Sequence, residues 1–434
     1  MYMNLIERDK KVIWHPFTPQ KNMPVPIGIT HAKNTILYDE QGNEYIDAIS
    51  SWWVTIHGHA NEYIAQRLYQ QALQLEQVIF AGFTHEPAVA LAEQLLPILP
   101  GNFARIFYSD NGSTSTEVAI KMSLQYWWNK YDYAVQSTYP PVVKRNTILA
   151  FNNAYHGDTF GAMSVSDRSV FTKPFQGLLF DVLFIDTPTA ENIHQLKKTI
   201  ADNKDKLAAF IYEPLVQGAG GLMMYDAAMM DELLHTCKEH DIICIADEVM
   251  TGFGRTGKLF ASSYMTNKPD IICLSKGLTG GTLPLGVTAC TEEIYAAFLS
   301  DDKLKTFFHG HSFTANPLSC TAALASLELL LKEDKNLAIK NISSNHLAFA
   351  EQLKTYLPKI KNIRCLGTII AFEINEGRDE YLNDISLKVT SYCMQQGVYL
   401  RPLGNTVYLM PPYCITKEEL QTVYSVVENL LQQL

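Results

Sequence analysis

The chain has 434 residues, 47% of them hydrophobic and 18% charged, with a formal net charge of −10 and a pI near 5.7. A chain this long buries a large apolar core without disulfides or metal clips. Its acidic balance excludes a general binder of nucleic-acid backbones or anionic membranes, which needs a basic face.

From the N-terminus, Met1 to Pro16 lack the apolar stretch of a secretory leader, and no later run is long enough to span a bilayer. A cytoplasmic protein is expected. Residues 1–60 read as an irregular segment packing with a smaller domain, punctuated by Pro16, Pro19, Pro24 and Pro26. Short strands are predicted at 35–38 and 45–48, around the Gln41-Gly42-Asn43 turn. Residues 61–320 alternate apolar runs (105–108, 147–151, 208–212, 242–246, 271–274) with helix-sized stretches. That alternation predicts a large α/β domain with a mostly parallel, buried central sheet. Residues 321–434 predict a smaller α+β domain: a helix over 322–331, a strand over 367–373, a further helix, then strands at 398–401 and 407–410 around Gly404-Asn405. Thr416-Lys417-Glu418-Glu419 is a capping box opening a last helix, whose apolar face is Leu420, Val423, Val427, Leu430 and Leu434. The eight cysteines form no CxxC pair, and several sit in apolar runs such as Ile242-Ile243-Cys244-Ile245. They read as buried hydrophobes in a reducing compartment.

Chemistry enters at the strand ends. The run 242–246 stops at Asp247-Glu248, and the run 271–274 is followed by Ser275-Lys276-Gly277. In open α/β sheets ligands sit beyond the carboxyl ends of the strands. Asp247 alone reads better as a helix cap. A lysine at the end of a buried strand, however, is costly unless paired or covalently used. An acid and a lysine on neighbouring strands together suit pyridoxal 5′-phosphate (PLP): the amine condenses with the aldehyde, and the carboxylate keeps the ring nitrogen protonated. The turn Ser109-Asp110-Asn111-Gly112-Ser113-Thr114 opens a predicted helix through Trp128 and offers free N–H groups to a phosphate. Glu117, three residues after Thr114, also fits a capping box, so an ordinary helix start remains open. Tyr155 follows the run 147–151, where it either stacks on a cofactor ring or is an ordinary core tyrosine. The pairs His309/His311 and His57/His59 lack a nearby acid or cysteine, so no metal is expected.

Asp247-Glu248-Val249, Gly252-Phe-Gly-Arg255-Thr-Gly, Ser275-Lys276-Gly277, His309-Gly-His311 and Asn316-Pro317 resemble the class III (fold type I) aminotransferases over nearly the whole chain. Three stretches are similar to the branch of that class acting on 8-amino-7-oxononanoate in biotin biosynthesis: Trp14-His15-Pro16-Phe17, Ser51-Trp52-Trp53 with His57-Gly58, and Arg401-Pro402-Leu403-Gly404 with Tyr408-Leu409-Met410-Pro411-Pro412. The resemblance implies Lys276 as the Schiff-base lysine, Asp247 as the ring-nitrogen partner and Tyr155 stacked on the ring. Gly112 and Ser113 would bind phosphate, and Ser312 the phosphate in the neighbouring subunit of a homodimer. Arg401 would pair with a substrate carboxylate, while Trp52, Trp53, Phe17 and Gly310 would shape the substrate pocket. Phe17 stands where many members have Tyr, which leaves the donor open between S-adenosylmethionine and lysine. His311-Ser312 replaces the branch's common Pro-Thr. Arg255 either touches substrate or buttresses its loop. The alternatives are a class III transaminase of ω-amino acids or diamines, and a PLP-binding protein without turnover.

Overall fold

Seven strands form the central sheet, in the order Phe103–Ser109, Gly286–Thr291, Ile271–Leu274, Ile243–Asp247, Leu207–Tyr212, Thr147–Phe151, Val182–Ile185. The computed structural model describes residues 4–131, 144–376, 383 and 385–434. Neighbouring strands pair in parallel except at Gly286–Thr291, which is antiparallel to both of its neighbours. The runs read from sequence are these strands, shifted by a residue or two; Gly286–Thr291 and Val182–Ile185 were not anticipated. Ile148 and Ala150 pack into one apolar cluster, Leu149 and Phe151 into another. The two sheet faces are thus both covered, which is why its inner strands read as unbroken apolar runs rather than alternating ones.

Ile29–Lys33, Ile36–Asp39 and Glu44–Asp47 form an antiparallel sheet whose fourth strand, Val398–Tyr399, joins in parallel from far along the chain. The N-terminal segment is more regular than expected. Leu5–Val12 is a helix opened by Asn4, whose side chain and that of Glu7 satisfy each other's backbone N–H groups. None of its residues is buried, so no core contact holds it in place.

A third sheet comprises Ile360–Leu366, Ile369–Ile374 and Thr406–Leu409. Beside it lie the helices Glu333–Leu353, Ile385–Gln395 and Lys417–Gln433. Thr416 caps the last helix reciprocally with Glu419. Leu420, Val423, Val427 and Leu430 are buried there, but Leu434 lies beyond the helix end and is 39% exposed. The helix Pro317–Leu330 runs across residue 320 and packs against Glu62–Ala72 and Glu86–Leu95.

Candidate active site

A cavity of about 610 Å³ opens at the carboxyl ends of the parallel strands. Two adjacent strands aim the central pair into it. Asp247 ends Ile243–Asp247, in register with Cys273 on Ile271–Leu274, and Lys276 follows three residues later. Lys276 starts a short 3-10 turn with φ of +47°, a left-handed conformation that costs a β-carbon-bearing residue energy. Its Nζ lies 4.6 Å from the centre of the Trp53 ring. Burial pulls the ammonium down to about 8, against the opposing charges of Asp247 and Glu213. More of this amine is therefore neutral and nucleophilic near neutral pH than of an exposed lysine.

Asp247 is nearly fully buried. Its Oδ2 sits 2.7 Å from His156 Nδ1, and its Oδ1 accepts from the Val249 N–H at 3.1 Å. A carboxylate only accepts, so Nδ1 carries the proton. That leaves His156 Nε2 buried without a protein partner. Sequence reasoning passed over His156, and also Glu213 on the same cavity wall. Glu213 directly follows the strand Leu207–Tyr212, so its place at a strand end was a usable signal. It accepts from the Tyr155 N–H at 3.0 Å and the Gly218 N–H at 2.8 Å. Burial, with the nearby Asp247 charge, raises it to about 7 even against His156 and these two donors. Tyr155 lines the cavity too, its phenol held above the ordinary range by burial and by Asp158.

The opposite wall is the start of the helix Gly112–Lys130. Its cap is Asn111, which accepts from the Thr114 N–H while Thr114 Oγ1 accepts from the Asn111 N–H. The box expected between Thr114 and Glu117 is not formed. Glu117 instead accepts from Thr159 Oγ1 at 2.7 Å and the Ala162 N–H at 3.0 Å, tying this helix to Phe160–Val165. Gly112 and Ser113, as the first helical residues, have N–H groups with no intrahelical acceptor. A β-carbon on Gly112 would come within 2.7 Å of Val249, and one on Gly157 within 2.2 Å of Ser113 Oγ. The helix start approaches the loops carrying Val249 and Gly157 this closely only because both residues are glycine.

The remaining predicted residues divide. Trp53 is buried and donates to Tyr408 OH at 2.9 Å, so it belongs as much to the packing as to the cavity. Trp52 is 38% exposed, with the Arg401 guanidinium 5.0 Å above its ring and Phe17 edge-on at 5.5 Å. Phe17 also meets Phe171, which meets Tyr155, so an aromatic chain runs from Arg401 to the cavity. Arg255 is buried and donates to Pro411 O at 2.8 Å and Trp53 O at 3.4 Å, with its face on Tyr413. It buttresses the loop. Gly310 and Ser312 are exposed and do not line this cavity within the single chain. His57 meets Ser326, His59 meets Asp47, and His309 meets Lys121, so the two histidine pairs serve separate contacts.

The family model for class-III aminotransferases matches residues 17–431. The chain belongs to the class-III aminotransferase family. It is therefore a transaminase, and PLP is its cofactor. The chain is 47% identical to the adenosylmethionine-8-amino-7-oxononanoate aminotransferase of Synechococcus elongatus, over 97% of this chain and 99% of that one. The crystal structure of the enzyme of the same name from Methanocaldococcus jannaschii superposes with a TM-score of 0.89 at 33% identity, covering 98% of each chain. An amine transaminase from an uncultivated Pseudomonas species, solved with PLP bound, gives 0.89 at 28% identity, over 97% of this chain and 98% of that one.

The class-III cavity in this chain suits PLP on its own geometry. Asp247, with two of its lone pairs used by His156 and Val249, retains capacity for a ring N–H. A partly neutral amine, a helix N-terminus and an unpartnered His156 Nε2 converge on the same space.

Proposed function

We propose that this transaminase transfers an amino group to the ketone of 8-amino-7-oxononanoate, giving 7,8-diaminononanoate in biotin biosynthesis. S-adenosylmethionine is the donor in this reading, and the enzyme works as a cytoplasmic homodimer. The observation that carries it is 47% identity, over nearly the whole of both chains, to an enzyme named for that substrate pair. The aromatic wall ending in Arg401 supports it, since a guanidinium held on Trp52 suits the carboxylate end of a long aliphatic acceptor.

Bound PLP supplies an electron sink for charge left at the substrate carbon and carries the amino group between half-reactions. In this proposal Lys276 anchors the cofactor and, once released, moves the proton at the substrate carbon. Asp247 holds the ring nitrogen protonated, and His156 orients Asp247. Gly112 and Ser113 bind the phosphate through backbone N–H groups, and Tyr155 covers the ring. Ser312, exposed in the single chain, reaches the phosphate of the neighbouring subunit, with Gly310 allowing its close approach. Arg401 binds the acceptor carboxylate, and Trp52, Trp53 and Phe17 line its chain.

Phe17 favours a second reading of the donor, because it brings no hydroxyl to the amino-bearing end; lysine is that alternative. The test is the visible cofactor band of the purified enzyme during titration with S-adenosylmethionine, and in parallel with lysine. Loss of the band with S-adenosylmethionine and its return with 8-amino-7-oxononanoate is expected. Loss with lysine alone changes the donor. Failure of the acceptor to restore the band overturns the assignment and favours an ω-amine transaminase.

A further inference from the structure

The turn that carries Trp52 and Trp53 is strained. Ser50, Ser51 and Trp53 have φ of +53°, +59° and +69°, a region that residues with a β-carbon enter only at a cost. Ser51, with ψ of −81°, lies near the rare γ-turn conformation. Such residues persist only where their surroundings over-determine them. Here the surroundings converge on one side chain. Asp47 closes the strand Glu44–Asp47 and is fully buried. Its Oδ1 accepts from the Ile49 N–H at 3.2 Å, and its Oδ2 from the Ser51 N–H at 2.6 Å and Ser51 Oγ at 3.3 Å. His59 Nε2 lies 2.8 Å from the same Oδ2, and because a carboxylate only accepts, that nitrogen carries the proton. From the far side, Ser50 Oγ donates to Met410 O at 2.8 Å.

We propose that Asp47 is the positioning residue of the substrate wall: its carboxylate holds residues 50–53 in this turn, and so sets Trp52 beneath Arg401 and Trp53 beside Lys276. The assignment rests on the reading that Arg401 and Trp52 receive the acceptor, and deepens it. Strand register explains how one side chain serves both. Asp47 pairs with Tyr399 on the strand Val398–Tyr399, the Ala48 N–H donates to Tyr399 O at 3.0 Å, and Arg401 follows two residues later. The strand end that fixes the turn is thus bonded to the segment that delivers the guanidinium, 5.0 Å from the centre of the Trp52 ring. On its other side the turn brings the Trp53 ring to 4.6 Å from Lys276 Nζ. Trp52 is 38% exposed, so packing alone does not hold it. With ordinary φ values the turn would swing this side chain away from Arg401, because the direction of a side chain follows its backbone. A buried carboxylate is costly unless donors surround it, and the donors here are the turn itself and His59.

Asp47→Asn keeps the shape of the side chain but has one acceptor oxygen where two are used. In the PLP-loaded enzyme it should raise the KM for 8-amino-7-oxononanoate about tenfold and leave kcat within about threefold, the scale of a lost bond to a charge. Fluorine NMR of enzyme grown with 5-fluorotryptophan, its five resonances assigned by Trp→Phe variants, reads the turn directly. The Trp52 and Trp53 resonances should move or broaden while those of Trp14, Trp127 and Trp128 stay in place. Adding Ser51→Gly, which takes this φ without penalty, should return the KM at least about threefold towards wild type. Where Asp47→Asn does not fold, His59→Leu removes a single donor and should give the same changes at smaller size. Unmoved Trp52 and Trp53 resonances, movement of all five together, or an unchanged acceptor KM each overturn the role of Asp47. Moved resonances in an enzyme that never aminates 8-amino-7-oxononanoate keep that role and lose the acceptor reading. Unmoved resonances in one that does aminate it keep the acceptor reading and lose the role.

Discussion

At the scale of single residues the site depends on two opposed shifts made by burial. Burial lowers Lys276 to about 8 and raises Glu213 to about 7. For Lys276 the folded value lies below the unfolded 10.5, so between about 8 and 10.5 the unfolded chain binds more protons. The cofactor-free enzyme should therefore gain stability from this lysine as pH rises through that window. Thermal melts of wild type and Lys276→Met from pH 7.5 to 10.5 check it: the wild type should improve relative to the variant by about pH 10, and parallel curves would refute the shift. Lys276→Ala should abolish steady-state transamination, and substantial residual turnover would remove the residue from its role. Asp247→Asn should retain PLP but slow proton removal by at least about a hundredfold, the scale of a lost electrostatic partner in a buried site. Single-turnover kinetics with the donor measure this, and a near-wild-type rate would sink the proposed ring-nitrogen pairing. The pair Asp247 and Lys276 was legible in the sequence because each interrupts the end of an apolar run. Glu213 carried the same strand-end mark, unread, at the close of the run 208–212, whereas His156, a histidine beside a tyrosine, carries none, and only the fold brings it to Asp247.

At the scale of elements, the site is made where loops approach too closely for any side chain. Gly157 has φ of +133° and faces Ser113 Oγ, so Gly157→Ala pays both a backbone and a steric cost. A loss of about 2–4 kcal/mol in stability is expected, with weaker PLP retention on dialysis; unchanged retention would show that the two loops do not need this contact. The start of Gly112–Lys130 illustrates how a motif can be correctly located and wrongly wired. A capping box was visible near Thr114, but the cap is Asn111 with Thr114, and Glu117 turns away to hold Thr159 and Ala162. Two overlapping boxes in one stretch cannot be separated by spacing alone; the neighbouring helix decided between them.

For the whole molecule, the C-terminal sheet is tied, at the turn before Met223–Met224, to the segment that follows the central strand Leu207–Tyr212. Arg364 on Ile360–Leu366 is mostly buried, pairs with Glu373 and donates to the carbonyls of Leu222 and Gly221. Arg364→Met should cost about 3–5 kcal/mol, since it strands Glu373 in a partly buried site. Denaturant melts should show the loss, and a shift under about 1 kcal/mol would mean that the sheets are held together elsewhere.

The sequence by itself determined the α/β class, five of the seven central strands, the last helix and the acid–lysine pair. All of these follow from local physics: continuous apolar runs, a reciprocal cap, and charges that burial permits only with a partner. Only the tertiary structure decided that Val398–Tyr399 completes the N-terminal sheet and that Gly286–Thr291 runs antiparallel inside a parallel one. It alone placed Arg255 under Trp53 and Arg401 over Trp52. Those facts depend on residues hundreds of positions apart, or on strand direction, and neither leaves a trace in hydrophobic periodicity. A strand's apolar pattern is the same whichever way it runs, so its direction is settled only when its neighbours' hydrogen bonds are formed.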